Sequence, residues 1–201
     1  MYSDHSIQFF DQQFQRQSAV GDLALNPFEE AALPFLHGCV LDYGCGLGNL
    51  AVAAARRGCQ VTALDGSRAA ISHLQQRAAA ESLDIRATQA DLRNFELTGE
   101  FDTVVSIGLL MFFDCRTAER RLTNLRAHLR EGGFAIINVL IEGTTYLDMF
   151  APGEYCLFRR TALEETFAGW DFQYSTFRDF AMPNGHVKSF TTLIAQKPVT
   201  R

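Results

Sequence analysis

What this 201-residue chain lacks narrows its chemistry first. It has no surplus of basic residues: 18 Lys and Arg stand against 23 Asp and Glu, a formal charge of −5. A broad nucleic-acid footprint needs cations to displace phosphate counterions, so no nucleic-acid partner is expected. The arginines pair only locally, at Arg56-Arg57, Arg120-Arg121 and Arg159-Arg160. No Cys-x-x-Cys pair occurs among Cys39, Cys45, Cys59, Cys115 and Cys156. That spacing fits neither a zinc site nor a disulfide framework, and an odd thiol count in a reducing compartment needs no partner. No apolar run approaches the roughly 20 residues that span a bilayer. The first residues, Met1-Tyr2-Ser3-Asp4-His5, have neither the basic nor the apolar part of a secretory leader. The expectation is a cytoplasmic protein, a monomer or small homo-oligomer, without metal or membrane.

The composition that remains, 47% hydrophobic and 20% charged, excludes wholesale disorder and suits one α/β domain. Residues 6–18 place Ile7, Phe10 and Phe14 on one helical stripe. Asn26-Pro27 followed by Glu29-Glu30 reads as a helix start, predicted to run to about His37-Gly38. Residues 1–38 are therefore read as a helical lid before a main domain of residues 39–201. Within that domain, short strands are predicted at Cys39 to Tyr43, Gln60 to Leu64, Ile85 to Gln89, Phe101 to Ile107 and Phe134 to Leu140. Helices are predicted between them, from Leu47 to Arg57, from Ser67 to about Ser82 and from Arg116 to Leu129. Strands alternating with helices of ten or more residues imply a parallel sheet covered on both faces. The tail differs. Thr161-Ala162-Leu163-Glu164 has the form of a capping box, and two β-rich runs, Trp170 to Phe177 and Lys188 to Ala195, flank Met182-Pro183-Asn184-Gly185. Asn-Gly between such runs signals an antiparallel hairpin.

The strongest local signal is Val40-Leu41-Asp42-Tyr43-Gly44-Cys45-Gly46-Leu47-Gly48-Asn49, where a strand gives way to a helix. Glycines at alternate positions let the backbone turn sharply and approach a ligand closely. Amides at the following helix start are expected to face polar or anionic ligand groups. The spacing is Gly-x-Gly-x-Gly, and Asp42 stands two residues before the first glycine. A carboxylate there opposes a pyrophosphate and suits an ammonium or sulfonium. Asp65, in Asp65-Gly66-Ser67, ends the second strand about twenty residues on, where an acid accepts from ribose hydroxyls. Asp91-Leu92 follows the third strand, placed for an adenine amino group and ring. Three successive strand tips thus carry acids at one sheet edge.

With these residues in view, the chain resembles the class I S-adenosylmethionine-dependent methyltransferases. Val40 to Asn49 resembles their first motif, Asp65 their ribose acid, Asp91 their adenine acid and Phe101 to Ile107 their fourth-strand motif. Leu129-Arg130-Glu131-Gly132-Gly133-Phe134 resembles the turn before their fifth strand. Within the superfamily it is similar to the tellurite-resistance (TehB-like) group, through Phe101 to Ser106, Leu110 to Phe113, Phe158, Leu163, Phe167 to Trp170 and Phe190 to Lys197. The resemblance implies a Rossmann-like fold ending in an antiparallel hairpin, S-adenosylmethionine as cofactor and a small thiol, selenium or tellurium acceptor. It implies cofactor binding by Asp42, Gly44, Cys45, Gly46, Asn49, Asp65, Gly66, Ser67, Asp91, Leu92 and Ile107; separately, the place of Arg16 and Gln17 at the end of the first helix suggests that the closing lid brings them to the cofactor carboxylate. The chain departs from that group where a His-Arg pair before Asn-Gly is replaced by Phe180-Ala181-Met182, and at Leu25-Asn26-Pro27.

Methyl transfer from a sulfonium is an in-line displacement needing no acid for its leaving group, so positioning and desolvation carry it. The acceptor is expected over the carboxyl ends of the strands, near Met111, Phe112, Tyr146, Met149, Phe150 and Phe158. His186, Arg178 and Tyr146 are the candidate catalytic side chains, for holding an anionic acceptor or deprotonating a thiol. Two other classes compete: a cofactor-binding sensor or partner subunit without turnover, and an NAD(P)-dependent oxidoreductase.

Overall fold

In the computed structural model the described residues are 10, 13, 14 and 23–199. Asn26 opens α1 (Pro27–Ala32): its side chain accepts from Phe28 and Glu29 amides, while Glu29 returns a bond to the Asn26 amide. Acids in that first turn also suit the helix dipole. The helix stops short of the predicted His37-Gly38. Pro34 lacks the N–H that a further turn requires, and a 3₁₀ turn over Leu33–Phe35 takes its place.

Seven strands form one sheet, in the order β3-β2-β1-β4-β5-β7-β6. They are β1 (Cys39–Tyr43), β2 (Gln60–Asp65), β3 (Ile85–Gln89), β4 (Phe101–Ile107), β5 (Leu129–Leu140), β6 (Asp171–Ala181) and β7 (Val187–Gln196). The first five are parallel, and β7 runs antiparallel to both β5 and β6. Helices α2 (Asn49–Ala55), α3 (Arg68–Glu81) and α4 (Cys115–Ala127) make the crossovers, and α5 (Ala162–Thr166) precedes β6. This is the Rossmann-like class I methyltransferase fold, mostly parallel with an antiparallel end. Parallel strands buried on both faces read as continuous apolar runs. Accordingly Leu41, Tyr43, Val104, Ile137 and Val139 face one core, while Val40, Ala63, Val105, Ile136 and Ile194 face the other. Strand order reverses between β1 and β4, and the crevice at their carboxyl ends is the place for a ligand.

Ser67 caps α3 by accepting from the Ala70 amide, and Asp114, two residues before the predicted helix, caps α4 through the Thr117 amide. The capping box at Thr161 does not form. Thr161 has near-helical angles, and its hydroxyl donates to the Glu165 carboxylate instead of taking a backbone amide. Asn184 and Gly185 adopt positive φ of 59° and 74°, as the hairpin signal predicts.

One expectation fails outright. Cys115 at the start of α4 is disulfide-bonded to Cys156 in the loop after β5, while Cys39, Cys45 and Cys59 are free. Their sequence separation of 41 residues left no local motif to read; the pairing exists only because the fold brings the segments together. Among the described residues no helix is long and apolar enough to cross a membrane. No group of three or more His, Cys, Asp or Glu is arranged for a metal there either.

Alkylating the unfolded, unreduced chain is therefore expected to label three cysteines, rising to five after reduction, by intact mass. Closing a loop of 41 residues restricts the unfolded chain by about 4 kcal/mol in the chain-entropy account, so reduction should lower the Tm by several degrees.

Candidate active site

A cavity of about 720 Å³ opens at the carboxyl ends of β1, β4 and β5. That lies within the range of roughly 300–1,000 Å³ typical of small-molecule sites. One end is floored by the glycine loop. Gly44, Gly46 and Gly48 sit at φ of 89°, 51° and 73°, a region closed to most side chains. A Cβ on Gly48 would lie 2.5 Å from Leu74, and one on Gly44 2.9 Å from Leu109, so glycine is required sterically as well.

The loop is held by its own hydrogen bonds. The Gly44 and Cys45 amides both donate to the Leu64 carbonyl, and the Gly48 amide donates to the Cys45 carbonyl. The Gly46 amide donates to Asp65 at 2.9 Å, and the other oxygen of that carboxylate accepts the Ser67 amide at 2.8 Å. These four loop amides bond within the protein and precede the amides at the start of α2 on which the expectation of a polar or anionic ligand group rests. The loop offers shape more than positive potential.

Asp42 is the acid that a cationic ligand would ionise. It is 5% exposed, lines the cavity, and its Oδ2 finds no hydrogen-bond partner among the described residues. Burial, with Glu29 and Asp65 nearby, pushes its carboxyl up to about 8 from an ordinary 3.8. The Cys45 thiol, also buried beside these acids, is held well above its usual range and stays neutral.

Of the other residues named from sequence, Asn49, Gly66, Ser67, Leu92 and Ile107 line the same cavity. Asn49 accepts from Arg77 at 2.7 Å, which fixes the start of α2. Asp91 is not among the lining residues. Its carboxylate takes the Arg93 guanidinium at 3.1 Å and the Arg93 amide, and Arg93 itself reaches the cavity. The hydroxyl of fully buried Tyr43 donates to the Leu92 carbonyl and anchors that loop. Arg16 and Gln17 lie outside the described residues, but Phe10, Gln13 and Phe14 contribute to the wall.

The other end of the cavity is apolar. Met111, Phe112 and Met149 line it as expected, whereas Phe150 packs behind Phe112 at 4.8 Å and Phe158 belongs to the core. The structure adds residues that the strand-by-strand reading missed. Phe28, Phe180 and Phe190 form a mutually packed aromatic triad, with ring centroids 5.0–5.7 Å apart. Asn138, Met182 and Lys188 complete this end. Asn138 is fully buried, and its amide nitrogen donates to the Thr192 hydroxyl at 2.9 Å. Its Oδ1 lacks a partner among the described residues. An Asn inside Ile136-Ile137-Asn138-Val139-Leu140 was the available signal, since a buried amide needs a reason. His186, Arg178 and Tyr146 are not lining residues; His186 and Arg178 are exposed, and Tyr146 packs against His186 at 6.4 Å.

Comparison with known proteins places this geometry. Residues 40–133 match the family described as a methyltransferase domain. The chain is 25% identical over 134 residues to a probable S-adenosyl-L-methionine-dependent methyltransferase, TehB, from Haemophilus influenzae, covering 66% of this chain and 46% of the relative. It is 28% identical over 131 residues to hemagglutinin 1 of Eikenella corrodens, covering 65% of this chain and 43% of the relative. It thus spans less than half the length of either. The crystal structure of TehB from Haemophilus influenzae superposes with a TM-score of 0.74 at 22% identity, over 87% of this chain and 63% of that one. Residues 40–133 thus match a methyltransferase domain, and the chain shares its fold with the TehB crystal structure.

Proposed function

We propose that the chain is an S-adenosylmethionine-dependent methyltransferase acting on a small-molecule acceptor. The observation that carries this reading is the buried Asp42 carboxyl, with an unpartnered oxygen, above a glycine loop whose amides are turned inward. A pyrophosphate would keep Asp42 protonated and gain no charge from it, which disfavours the oxidoreductase alternative. A ligand bearing an ammonium and a sulfonium finds the charge it needs. The cofactor, when bound, supplies an activated methyl group on a positively charged sulfur.

The chain's own residues then do three things. Asp42 balances the cofactor's cationic end, and Asp65, already oriented by the Gly46 and Ser67 amides, receives the ribose hydroxyls. Leu92, held by Tyr43, and Ile107 enclose the adenine. Phe10, Phe14 and the apolar far wall exclude water from the transfer path, which removes the hydration that stabilises a sulfonium. No residue is assigned as a general base; positioning and desolvation supply the rate. Among the lining residues described, the only cationic side chains are Arg93, paired with Asp91, and Lys188. A selenite or tellurite oxyanion would need more donors than these, so a thiol or other nucleophile on an organic skeleton is the better occupant.

Calorimetric titration with S-adenosylhomocysteine and with NADH tests this directly. Micromolar binding of the first alone is expected; binding of NADH alone would overturn the reading. Asp65→Ala should weaken S-adenosylhomocysteine by about 1–3 kcal/mol, the scale of a lost charge-assisted hydrogen bond. Asp42 sets a pH signature. A carboxyl raised from 3.8 to about 8 on folding binds protons that the unfolded chain releases, so stability without ligand falls as pH rises between these values. Asp42→Asn should therefore match the parent's Tm near pH 4 and exceed it near pH 8. S-adenosylmethionine affinity should rise between pH 6.5 and 8.5 in the parent and stay flat in the variant.

A further inference from the structure

The far end of the cavity carries an unbalanced positive charge. Strand alternation puts Lys188 and Phe190 on the same face of β7, and register sets Lys188 opposite Phe180 on β6. Lys188 therefore stands beside the Phe28, Phe180 and Phe190 triad on the cavity wall. Its ammonium lies 4.8 Å from the centroid of the Tyr146 ring, which props it by a cation–π contact. No carboxylate among the described residues pairs with it, although Glu29 and Glu154 line the same cavity. Half-burial holds its ammonium below the usual lysine range, so an anion that joins it gains more than it would in water.

We propose that Lys188 is the specificity residue of the acceptor site, and that the acceptor is an aromatic molecule bearing a carboxylate or phenolate. The triad takes the ring, Lys188 the anionic group, and the open Oδ1 of Asn138 a hydrogen-bond donor on the acceptor. This rests on the methyltransferase reading above. Tyr146 then acts through Lys188 as a positioning residue, which gives a role to a side chain that does not itself line the cavity.

The chain has two lysines, Lys188 and Lys197, and Lys197 donates to the Leu129 carbonyl near the start of β5. Lysine labelled with ¹³C and ¹⁵N thus yields two side-chain signals, told apart by Lys188→Met. The full chain, saturated with S-adenosylhomocysteine, is titrated with 2-naphthoate and with its neutral partner 2-naphthamide. The expected result is that naphthoate binds at least tenfold tighter, moves the Lys188 signal alone, and loses its advantage in Lys188→Met. The variant should bind S-adenosylhomocysteine within twofold of the parent. Equal affinity for acid and amide, absence of naphthoate binding up to millimolar concentration, or a preference that survives in Lys188→Met would overturn the proposal. A large loss of S-adenosylhomocysteine affinity in the variant would also overturn it, by assigning Lys188 to the cofactor. If the parent itself fails to bind S-adenosylhomocysteine, the methyltransferase reading has failed instead.

Discussion

Two hydrogen bonds from one carboxylate set the geometry on which the rest depends. Asp65 joins the Gly46 amide, on the loop after β1, to the Ser67 amide at the cap of α3. The loop contains three left-handed glycines, each of which lowers the steric barrier to other conformations and raises the entropy of the unfolded segment. Left to itself such a segment samples many shapes. With its amides committed to Leu64, Cys45 and Asp65, it holds one. The close contacts with Leu74 and Leu109 then follow, and α2 starts where the cavity needs it.

Against this well-satisfied scaffold, Asp42 is an exception. A buried acid with an open oxygen lowers the stability of the ligand-free fold at neutral pH, because ionising it in a poorly solvated place is unfavourable. Structures keep such groups where a ligand offsets the penalty, and perturbed acids cluster at functional sites for that reason. Asn138 shows the same departure in a milder form, fully buried with half of its amide satisfied. The two exceptions sit at β1 and β5, on either side of β4, and mark the two ends of one cavity.

Much of this was readable from residues alone, for identifiable reasons. Strand β4 begins and ends where its apolar run predicts, since a buried parallel strand leaves a strong local signature, and the edge strand β3, mostly exposed, also keeps its predicted bounds. The glycine loop and Asp42 were legible because their function requires unusual residues at fixed spacing. Other features were hidden by a competing local pattern or depend on distant segments. Helix α1 ends at Ala32 for the local reason of Pro34, a signal available in the sequence and underweighted against the helical pattern. Asp91 reads from sequence as a third ligand acid; in the fold its carboxylate also pairs with Arg93, two residues on. The partnership of Phe28 with Phe180 and Phe190 joins the first helix to the last hairpin, and no window along the chain contains both.

The bond between Cys115 and Cys156 has a mechanical consequence. It fastens the loop after β5 to the first residue of α4, and the Cys156 amide adds a second tether to the Met111 carbonyl at 3.0 Å. Met111 and Met149 line the cavity from these two tied segments. That wall is braced like the fixed jaw of a vice. Phe10 packs edge-on against Phe112 of this braced wall at 5.0 Å, and Phe14 approaches Gly46 of the glycine loop. A wall fixed in this way presents one shape to whatever enters the cavity.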